Sequence, residues 1–337
     1  MARLLLPILA GLTACGGPVP DDDTPLGHTG TTPKVEGRWS EAFDSAQVGA
    51  LSGVWGSGPS DVYMVGGDAT TAEIWHYDGS AWTEDTTAPP TDLLVWVFGF
   101  GPDDVWAVGE QGAVLHKTAA GWEQLDPDTD QPLWGVWGTS SSDLWIVGGD
   151  ANGTAPTLLH YDGADFTPFT LDPAQNDREA VALFKVWGID GRTFAVGQKG
   201  LIIEFDGTDW VQMSAGPEAN DDFVSLWGTS ANNIVAVGGR AAARVSAFDG
   251  TAWTTTSPDG IPGLNAVSMG ADDQAVVGGI YGWVGTFAPS TDTLTAENVV
   301  DSSSDVHAIW FDGVDTYYGV AGHFTDPFFG APLVRTP

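Results

Sequence analysis

A segment of about 40 residues recurs seven times beyond residue 50, and this repetition limits the possible folds more than any other feature of the sequence. The best-preserved copies read VWG, then an acidic residue and a VG pair, then a hydrophobic stretch ending in YDG or FDG. One residue marks the start of each copy: Trp55, Phe98, Trp137, Trp187, Trp227, Met269 and Trp310. Each copy divides into four short segments of alternating apolar and small residues, separated by Gly, Pro, Ser and Asp. This pattern predicts an all-β fold, a seven-bladed β-propeller with four strands in each blade.

Asp-Gly pairs mark the same turn in four copies of the repeat. They occupy positions 78–79, 162–163, 206–207 and 249–250, each between the third and the fourth expected strand. Asp-Gly is favoured in two-residue hairpin turns whose central residues both have positive φ angles. We therefore predict such a turn at each of the four places.

The two ends of the repeat region complete the count of blades. The seventh copy ends near residues 332–335, which match a third strand, so its fourth strand is missing. Residues 37–41, ahead of the first copy, match the fourth-strand pattern of residues 79–83. A strand from the N-terminal side that completes the last blade would close the ring and leave no exposed sheet edge. The sequence predicts one closed propeller domain over residues 36–337.

The repeat block VWG-x(4)-D-V-[WY]-x-VG, followed by ILHYDG-x-x-WT, resembles the repeats of myxobacterial-type propeller lipoproteins. More distantly, it resembles photosystem-assembly-factor-like propeller repeats. The likeness covers about residues 36–337 and implies the architecture alone, because propellers host many unrelated activities. The sixth copy departs from the pattern, since it has Met269 in place of Trp and no Asp-Gly turn.

The N-terminal residues have the form of a signal peptide. An apolar run over residues 4–12 follows Arg3 and is too short to span a bilayer as a helix. The residues at 12–15, Leu-Thr-Ala-Cys, resemble a bacterial lipobox. That resemblance implies a signal peptide at residues 1–14, cleavage before Cys15, and acylation of Cys15 by the two or more chains that stable anchoring needs. The alternative is an ordinary secretory signal with an incidental cysteine.

Residues 15–35 are expected to form the lipidated cysteine and a flexible tether. Gly, Pro, Thr and Asp dominate this segment, and it has no hydrophobic period. Gly16 follows the cysteine where an Asp would favour retention in the inner membrane, so the resemblance implies the outer membrane, on either its periplasmic or its outer side.

The formal net charge is −34, from 45 acidic and 11 basic residues. Such an acidic surface repels the phosphates of nucleic acids, so we exclude nucleic acid as a partner. Solubility outside the cell accounts for this charge, and divalent-cation binding by clustered carboxylates is the alternative.

A carboxylate or amide recurs in the turn between the first and second strands of five copies. The five positions are Asp61, Asp104, Asp143, Asn233 and Asp273. We expect these side chains to accept backbone N–H groups of their turns. Weak Ca²⁺ sites are the alternative, although one carboxylate in each turn is few for an ion that takes six to eight oxygens. We therefore predict no metal site and no required cofactor, with Ca²⁺ left as a possibility to test.

Three histidines, His76, His116 and His160, occupy the same third-strand position in successive copies. Equivalent positions in a ring are held apart and do not converge on one ion. We interpret these residues as part of the repeat pattern.

Catalytic motifs are not evident in the sequence. It has no phosphate-binding G-x-x-x-x-G-K-[ST] loop and no G-x-S-x-G nucleophile elbow, and its single cysteine is assigned to the anchor. We predict no catalytic residue. Paired carboxylates for cleavage of a polysaccharide stay open, because 45 acidic residues allow many pairings.

One face of the predicted ring carries loops of variable length. The segments at 149–156 and 167–182 are long, whereas the turn at 198–200 is tight, and all three belong to the same side of a propeller. Residues just before the innermost strands should line the mouth of the central channel on that side. The candidate ligand-binding residues are Trp96, Trp134, Phe184, Lys185 and His307. The alternative is that these side chains only plug the ring.

The function predicted from these features is a lipid-anchored, monomeric and non-enzymatic binding module that engages an envelope protein or a polysaccharide on the variable rim. A propeller glycosidase or lyase is the second hypothesis, and a scaffold in outer-membrane assembly is the third.

Overall fold

The computed structural model describes residues 38–336 except residues 47, 151, 173, 176, 271–273, 298–303 and 326. The predicted signal peptide, Cys15 and the tether lie outside the described residues, as does Asp273. Among the described residues, no helix is long and apolar enough to cross a bilayer. The strands form seven antiparallel sheets of four strands each, which confirms the predicted seven-bladed β-propeller.

Each of the first six blades is formed by four strands that follow one another in the chain. Blades 1 and 2 comprise β2 (Ala50–Gly58), β3 (Asp61–Asp68), β4 (Thr71–Tyr77), β5 (Trp82–Glu84), β6 (Leu94–Gly101), β7 (Asp104–Gly109), β8 (Val114–Thr118) and β9 (Gly121–Leu125). Blades 3 and 4 comprise β10 (Leu133–Ser140), β11 (Asp143–Gly148), β12 (Thr157–Tyr161), β13 (Phe166–Pro168), β14 (Leu183–Ile189), β15 (Arg192–Gly197), β16 (Ile202–Phe205) and β17 (Trp210–Gln212). Blades 5 and 6 comprise β18 (Phe223–Ser230), β19 (Asn233–Gly238), β20 (Arg244–Phe248), β21 (Trp253–Thr256), β22 (Leu264–Met269), β23 (Ala275–Gly279), β24 (Val284–Ala288) and β25 (Thr293–Ala296).

Blade 7 combines the two ends of the described chain. Its first three strands are β26 (Asp305–Phe311), β27 (Tyr317–His323) and β28 (Phe329–Arg335), and its outermost strand is β1 (Trp39–Glu41). β1 runs antiparallel to β28, with Ser40 opposite Val334. The prediction that a strand from the N-terminal side closes the ring is therefore confirmed.

A β-bulge recurs in the innermost strand of every blade. The register shifts by one residue at Ser52, Val95, Trp134, Phe184, Val224, Asn265 and His307. A bulge re-aims the extra side chain, and these seven side chains all line one cavity in the channel.

The register of blade 6 corrects one prediction. Trp55 pairs with Tyr63, and the equivalent pair in blade 6 is Ser268 with Val276, so Ser268 holds the position that we had predicted for Met269. Met269 packs instead in an apolar cluster with Val267. Because a serine stands where the other copies have a large side chain, the letters alone favour the neighbouring Met269.

The Gly of the VWG motif makes room for the aromatic ring of the preceding blade. A Cβ atom on Gly99 would lie 2.8 Å from Cη2 of Trp55, and one on Gly188 would lie 2.6 Å from Cη2 of Trp137. Such distances are too short for carbon atoms, so these blades can pack only if the residue after the aromatic has no side chain.

The Asp-Gly turns lie between the third and fourth strands as predicted, but their conformation differs from the prediction. Gly79 has a φ of +89°, whereas Asp78 is not among the residues with positive φ. Instead, Oδ1 of Asp78 accepts the backbone N–H groups of Ser80 and Ala81 at 2.8 and 2.9 Å. The other three turns repeat these two bonds, so the carboxylate stabilises a four-residue loop.

Candidate functional site on the upper face

The upper face is the side on which each blade connects to the next and on which its second strand turns into its third. The two long loops and the tight turn noted in the sequence meet there, between blades 3 and 4. They enclose a groove of about 610 Å³, which we call the rim groove. Its lining residues are 153–156, 169–171, 178–181, Lys199 and Leu201. A groove of this size falls within the usual range for ligand sites.

Two cations lie in the rim groove without a carboxylate partner among the described residues. Nη1 of Arg178 donates to the carbonyl oxygens of Lys199 and Ala219, at 3.1 and 2.7 Å. Nζ of Lys199 donates to the carbonyl oxygen of Glu179 at 2.8 Å. These acceptors are neutral, so neither cation forms an ion pair with a described carboxylate, although Glu179 also lines the groove and the chain has four times as many acidic as basic residues.

The backbone of the tight turn fixes the position of Lys199. This residue has a φ of +58° at the centre of the turn at 198–200, and its N–H donates to Oδ1 of Asp222 at 2.9 Å. Gly200 follows, also with positive φ. The turn therefore presents the lysine at the groove in one defined backbone conformation. These loops could be identified from the sequence, but Arg178 and Lys199 were not singled out there. Two cations in neighbouring loops of a very acidic chain are the signal that could have identified them.

The five residues predicted at the channel mouth do come together. Trp96, Trp134, Phe184, Lys185 and His307 all line one cavity of about 50 Å³ at the upper end of the channel. Below this cavity, the channel narrows to a space of about 10 Å³ between the aromatic residues that begin the repeats. Their role in ligand binding stays a prediction.

Two of these residues largely fill the mouth. Trp134 and Phe184 are 3% and 6% exposed, and their rings meet edge to face with centroids 6.0 Å apart. Nε1 of Trp134 donates to the carbonyl oxygen of Gly149 at 3.0 Å, which ties the ring to a long upper loop. These two side chains offer little surface for a sugar ring or a protein to stack on.

Three polar side chains of the mouth have few hydrogen-bond partners or none. Nζ of Lys185 lies over the ring of Trp96 and has no hydrogen-bond partner, and burial holds the pKa of this amine well below its usual range. His307 is half-buried, and burial lowers its pKa to about 4 although its ring nitrogen contacts the carbonyl oxygen of Gly322. Nδ2 of Asn265 also lacks a partner.

The three equivalent histidines are structural. Nε2 of His76, His116 and His160 bonds to Oδ1 of the turn carboxylate in its own blade, at 2.7, 3.0 and 2.7 Å respectively. Each imidazole also packs on an aromatic ring of the second strand, with centroids 3.9 to 4.7 Å apart. The described residues contain no group of three or more His, Cys, Asp and Glu that could hold a metal ion.

The carboxylates in these turns bond side chains, contrary to our expectation of backbone N–H partners. Asp61 binds His76 and accepts the hydroxyl of Ser57 at 2.5 Å, and Asp143 likewise accepts the hydroxyl of Thr139. The imidazole and the hydroxyl together occupy both carboxylate oxygens, which explains why His and Ser or Thr recur with the Asp.

The fold defines a seven-bladed β-propeller with an irregular upper face. No model of a protein family and no curated protein matches the sequence. Among solved structures, the chain is similar to YCF48 bound to D1 peptide, with a TM-score of 0.66 and 15% identity over 91% of this chain and 99% of that one. YCF48 from Cyanidioschyzon merolae gives a TM-score of 0.63 and 14% identity, over 89% and 99% of the two chains.

Virginiamycin B lyase from Staphylococcus aureus is similar to the same degree. It has a TM-score of 0.67 and 15% identity, over 88% of this chain and 98% of that one. At such identities the likeness shows the fold alone. The two YCF48 structures support the distant resemblance to photosystem-assembly-factor repeats at the level of the propeller.

Proposed function

We propose that this chain is a lipid-anchored, non-enzymatic binding module of the cell envelope that holds a segment of a partner protein in the rim groove. The observation that carries the proposal is the pair of cations, Arg178 and Lys199, that have only neutral partners in an accessible groove of a chain with a net charge of −34.

The lining of the groove indicates the chemistry of the partner. Phe169 and Leu171 are half-buried and leave apolar surface between the two cations and the blades, and Leu201 forms part of the floor. An apolar side chain flanked by Asp or Glu would cover that surface and bring carboxylates to Arg178 and Lys199. Because the rest of the protein is strongly acidic, such a segment is repelled everywhere else, which directs it to this groove.

The anchor and the location are part of the same proposal. Acylation of Cys15 would attach the propeller to the outer membrane, and residues 15–35 would let the upper face reach partners near that surface. The lipobox-like residues at 12–15 and the absence of any other cysteine support this assignment. We also propose that the protein is a monomer, because the segment held in the rim groove belongs to a different molecule. One solved neighbour, YCF48, has been seen bound to a peptide, which supports protein binding by a propeller of this shape.

The alternative of a propeller glycosidase or lyase receives less support from the site. An opening of about 450 Å³ with aromatic walls lies between blades 3 and 4 and is lined by Trp137, Trp145 and Phe205. Its carboxylate is Asp143, which is already bonded to His160 and Thr139. Glycoside cleavage commonly uses two carboxylates about 5 to 10 Å apart, and this opening supplies one.

The test is selection of binding peptides followed by measurement of affinity. A random-peptide display library is selected on the purified chain, and the recovered peptides are assayed by fluorescence anisotropy. We expect a consensus of one large apolar residue flanked by Asp or Glu. Arg178→Glu and Lys199→Glu should each weaken binding by at least tenfold, whereas Lys117→Glu, at a partly exposed site near Asp103 and outside the groove, should leave it within twofold.

Each of the remaining outcomes would change the proposed function in a specific way. Peptides without acidic residues, or affinities unchanged in both groove variants, would contradict docking in the rim groove. If no peptide is selected and a panel of neutral oligosaccharides binds instead, the polysaccharide alternative replaces the protein partner. Turnover of any oligosaccharide in the panel would replace the binding module by an enzyme. Crosslinking in cells that recovers an outer-membrane barrel protein would specify the assembly-scaffold alternative.

A further inference from the structure

The cavity at the channel mouth contains two buried hydrogen-bond donors that bond to nothing in the described protein. Nζ of Lys185 and Nδ2 of Asn265 each lack a partner, and the two residues are 3% and 5% exposed. They come from different blades, on the innermost strands β14 and β22. Unpartnered buried donors are rare in folded proteins, because each costs the free energy of its lost hydration. Two in one cavity suggest a ligand that accepts hydrogen bonds.

No negative charge lines this cavity. The titratable residues among its lining are Lys185 and His307, and the other lining residues are apolar, aromatic, hydroxyl or amide side chains. Phe324, fully buried, and Val95 contribute apolar walls. An ammonium ion in such a place has no counterion from the protein, although buried charges are ordinarily paired. Protonation of this amine therefore needs an anion from outside the chain.

The size of the cavity restricts the ligand. One water needs about 10 to 15 Å³ of such space, so a cavity of about 50 Å³ holds a group of about three or four heavy atoms. A carboxylate with one attached carbon has this size and offers two acceptor oxygens, one for each donor. A sugar ring or an aromatic ligand would not fit unless Trp134 and Phe184 moved.

We propose that the channel mouth is a binding site for a single carboxylate group of formate or acetate size, held by Lys185 and Asn265 over the ring of Trp96. The carboxylate is either a free small acid or the end of a longer molecule whose remainder lies on the upper face. This site is separate from the rim groove, and the proposal does not rest on protein docking there.

Carboxylate binding at this site should be coupled to uptake of a proton. Burial holds the pKa of the Lys185 amine well below that of a lysine in water, and an anion beside it favours the ammonium form. At pH values above the pKa of the empty site, each carboxylate therefore binds together with up to about one proton. Affinity should fall as the pH rises, by about tenfold for each pH unit in that range. His307 contributes no second proton above its own pKa of about 4.

The experiment is isothermal titration of the full chain with sodium acetate and sodium formate, repeated in buffers of different ionisation enthalpy and at several pH values. We expect saturable binding with stoichiometry near one, proton uptake, and weaker binding at higher pH. Lys185→Met keeps the length of the side chain and removes a buried amine without a partner, so this variant should fold at least as well as the parent. It should lose binding by more than tenfold, and Asn265→Leu should weaken it several-fold.

Lys117→Met is the matched control, because it removes one lysine from a partly exposed site outside the channel. A second arm replaces acetate by an acidic hexapeptide. Binding of acetate indicates a free small acid, and binding of the peptide alone indicates a carboxylate presented by a protein. If neither binds, or if Lys185→Met binds as well as the parent, the site is not a carboxylate site. Peptide binding that is lost in Arg178→Glu but kept in Lys185→Met would support the rim groove, and it would overturn this inference where acetate and formate also fail to bind, so the two proposals fail separately.

Discussion

The carboxylate of Glu297 and the guanidinium of Arg335 form a buried ion pair with two bonds, of 2.9 and 2.6 Å. The side chains are only 4% and 7% exposed. Glu297 directly follows the outermost strand of blade 6, and Arg335 ends β28 in blade 7. The same carboxylate accepts the indole N–H of Trp39 on β1 at 3.0 Å. One side chain therefore links blade 6 to both the third strand and the closing strand of the last blade.

Removing one partner of this pair should destabilise the ring strongly. Glu297→Leu leaves the charge of Arg335 buried without a counterion and takes away the acceptor of Trp39, so we expect a loss of about 3–5 kcal/mol. Urea unfolding followed by tryptophan fluorescence measures the change. Asp103→Asn, at the exposed pair with Lys117, serves as the control and should cost less than about 1 kcal/mol. If both substitutions lower the free energy of unfolding by the same small amount, the ion pair of Glu297 and Arg335 does not stabilise the closure of the ring.

The Gly of the VWG motif provides a second test with a control in the same strand. Gly99→Ala places a methyl group against Trp55 and against the carbonyl of Asp104, and should destabilise the protein by about 1–3 kcal/mol. Gly101→Ala, two residues further along β6, meets no atom within 4 Å and should change stability by less than about 0.5 kcal/mol. Thermal and urea unfolding of both variants check the difference. Similar stabilities would contradict the packing of successive aromatic rings over these glycines.

Glu110, in the tight turn of blade 2, predicts a pH dependence of stability. Burial, with Asp92 and Asp150 adding negative charge, raises the pKa of Glu110 to about 7 from its ordinary 4.5. A raised pKa means that the folded state keeps the proton, so this contribution is fully present below pH 4.5 and is lost as the pH rises through 7. Glu110→Gln cannot ionise and should therefore be more stable than the parent at pH 8, by about 2 kcal/mol, and close to it at pH 4. Urea unfolding at both pH values measures this, and the same difference at each pH would contradict the account.

The sequence was sufficient to predict the architecture because the same pattern of residues recurs along the chain. Six of the seven copies carry an aromatic residue at the start of the repeat, and most carry a following Gly and turn residues at fixed offsets, so a misreading of one copy is corrected by comparison with the others. The prediction failed where one copy departs from the others: Ser268, not Met269, holds the aromatic position in blade 6, and the letters favour the neighbouring large side chain because the aromatic residue itself is missing. The Asp-Gly turns were predicted at the right places with the wrong backbone, since the carboxylate bonds locally in a way that dipeptide preferences do not distinguish.

The two candidate sites also differ in how far they could be predicted from the sequence. The mouth residues, Lys185 and Trp134 among them, could be predicted because the ring geometry brings equivalent positions of the innermost strands together. The variable rim could be predicted too, but the two cations of its groove could not, because Arg178 lies in an irregular loop whose path depends on bonds to Lys199 and Ala219 in the neighbouring blade. Such long-range contacts of a single loop have no periodic signal.

Closure of the ring by β1 is the claim on which the two faces and both sites depend, and a disulfide across its seam tests it most directly. Ser40 and Val334 are opposite each other in the antiparallel ladder, at a separation that a disulfide can span. In a chain carrying Cys15→Ser, the pair Ser40→Cys and Val334→Cys should form an intramolecular disulfide under mild oxidation. Peptide mass mapping would detect it, while Ser40→Cys with Val314→Cys, in an exposed loop, should not crosslink. Crosslinking of the first pair alone is the predicted result, and a folded protein in which residues 40 and 334 stay unlinked would contradict the closed seven-bladed ring.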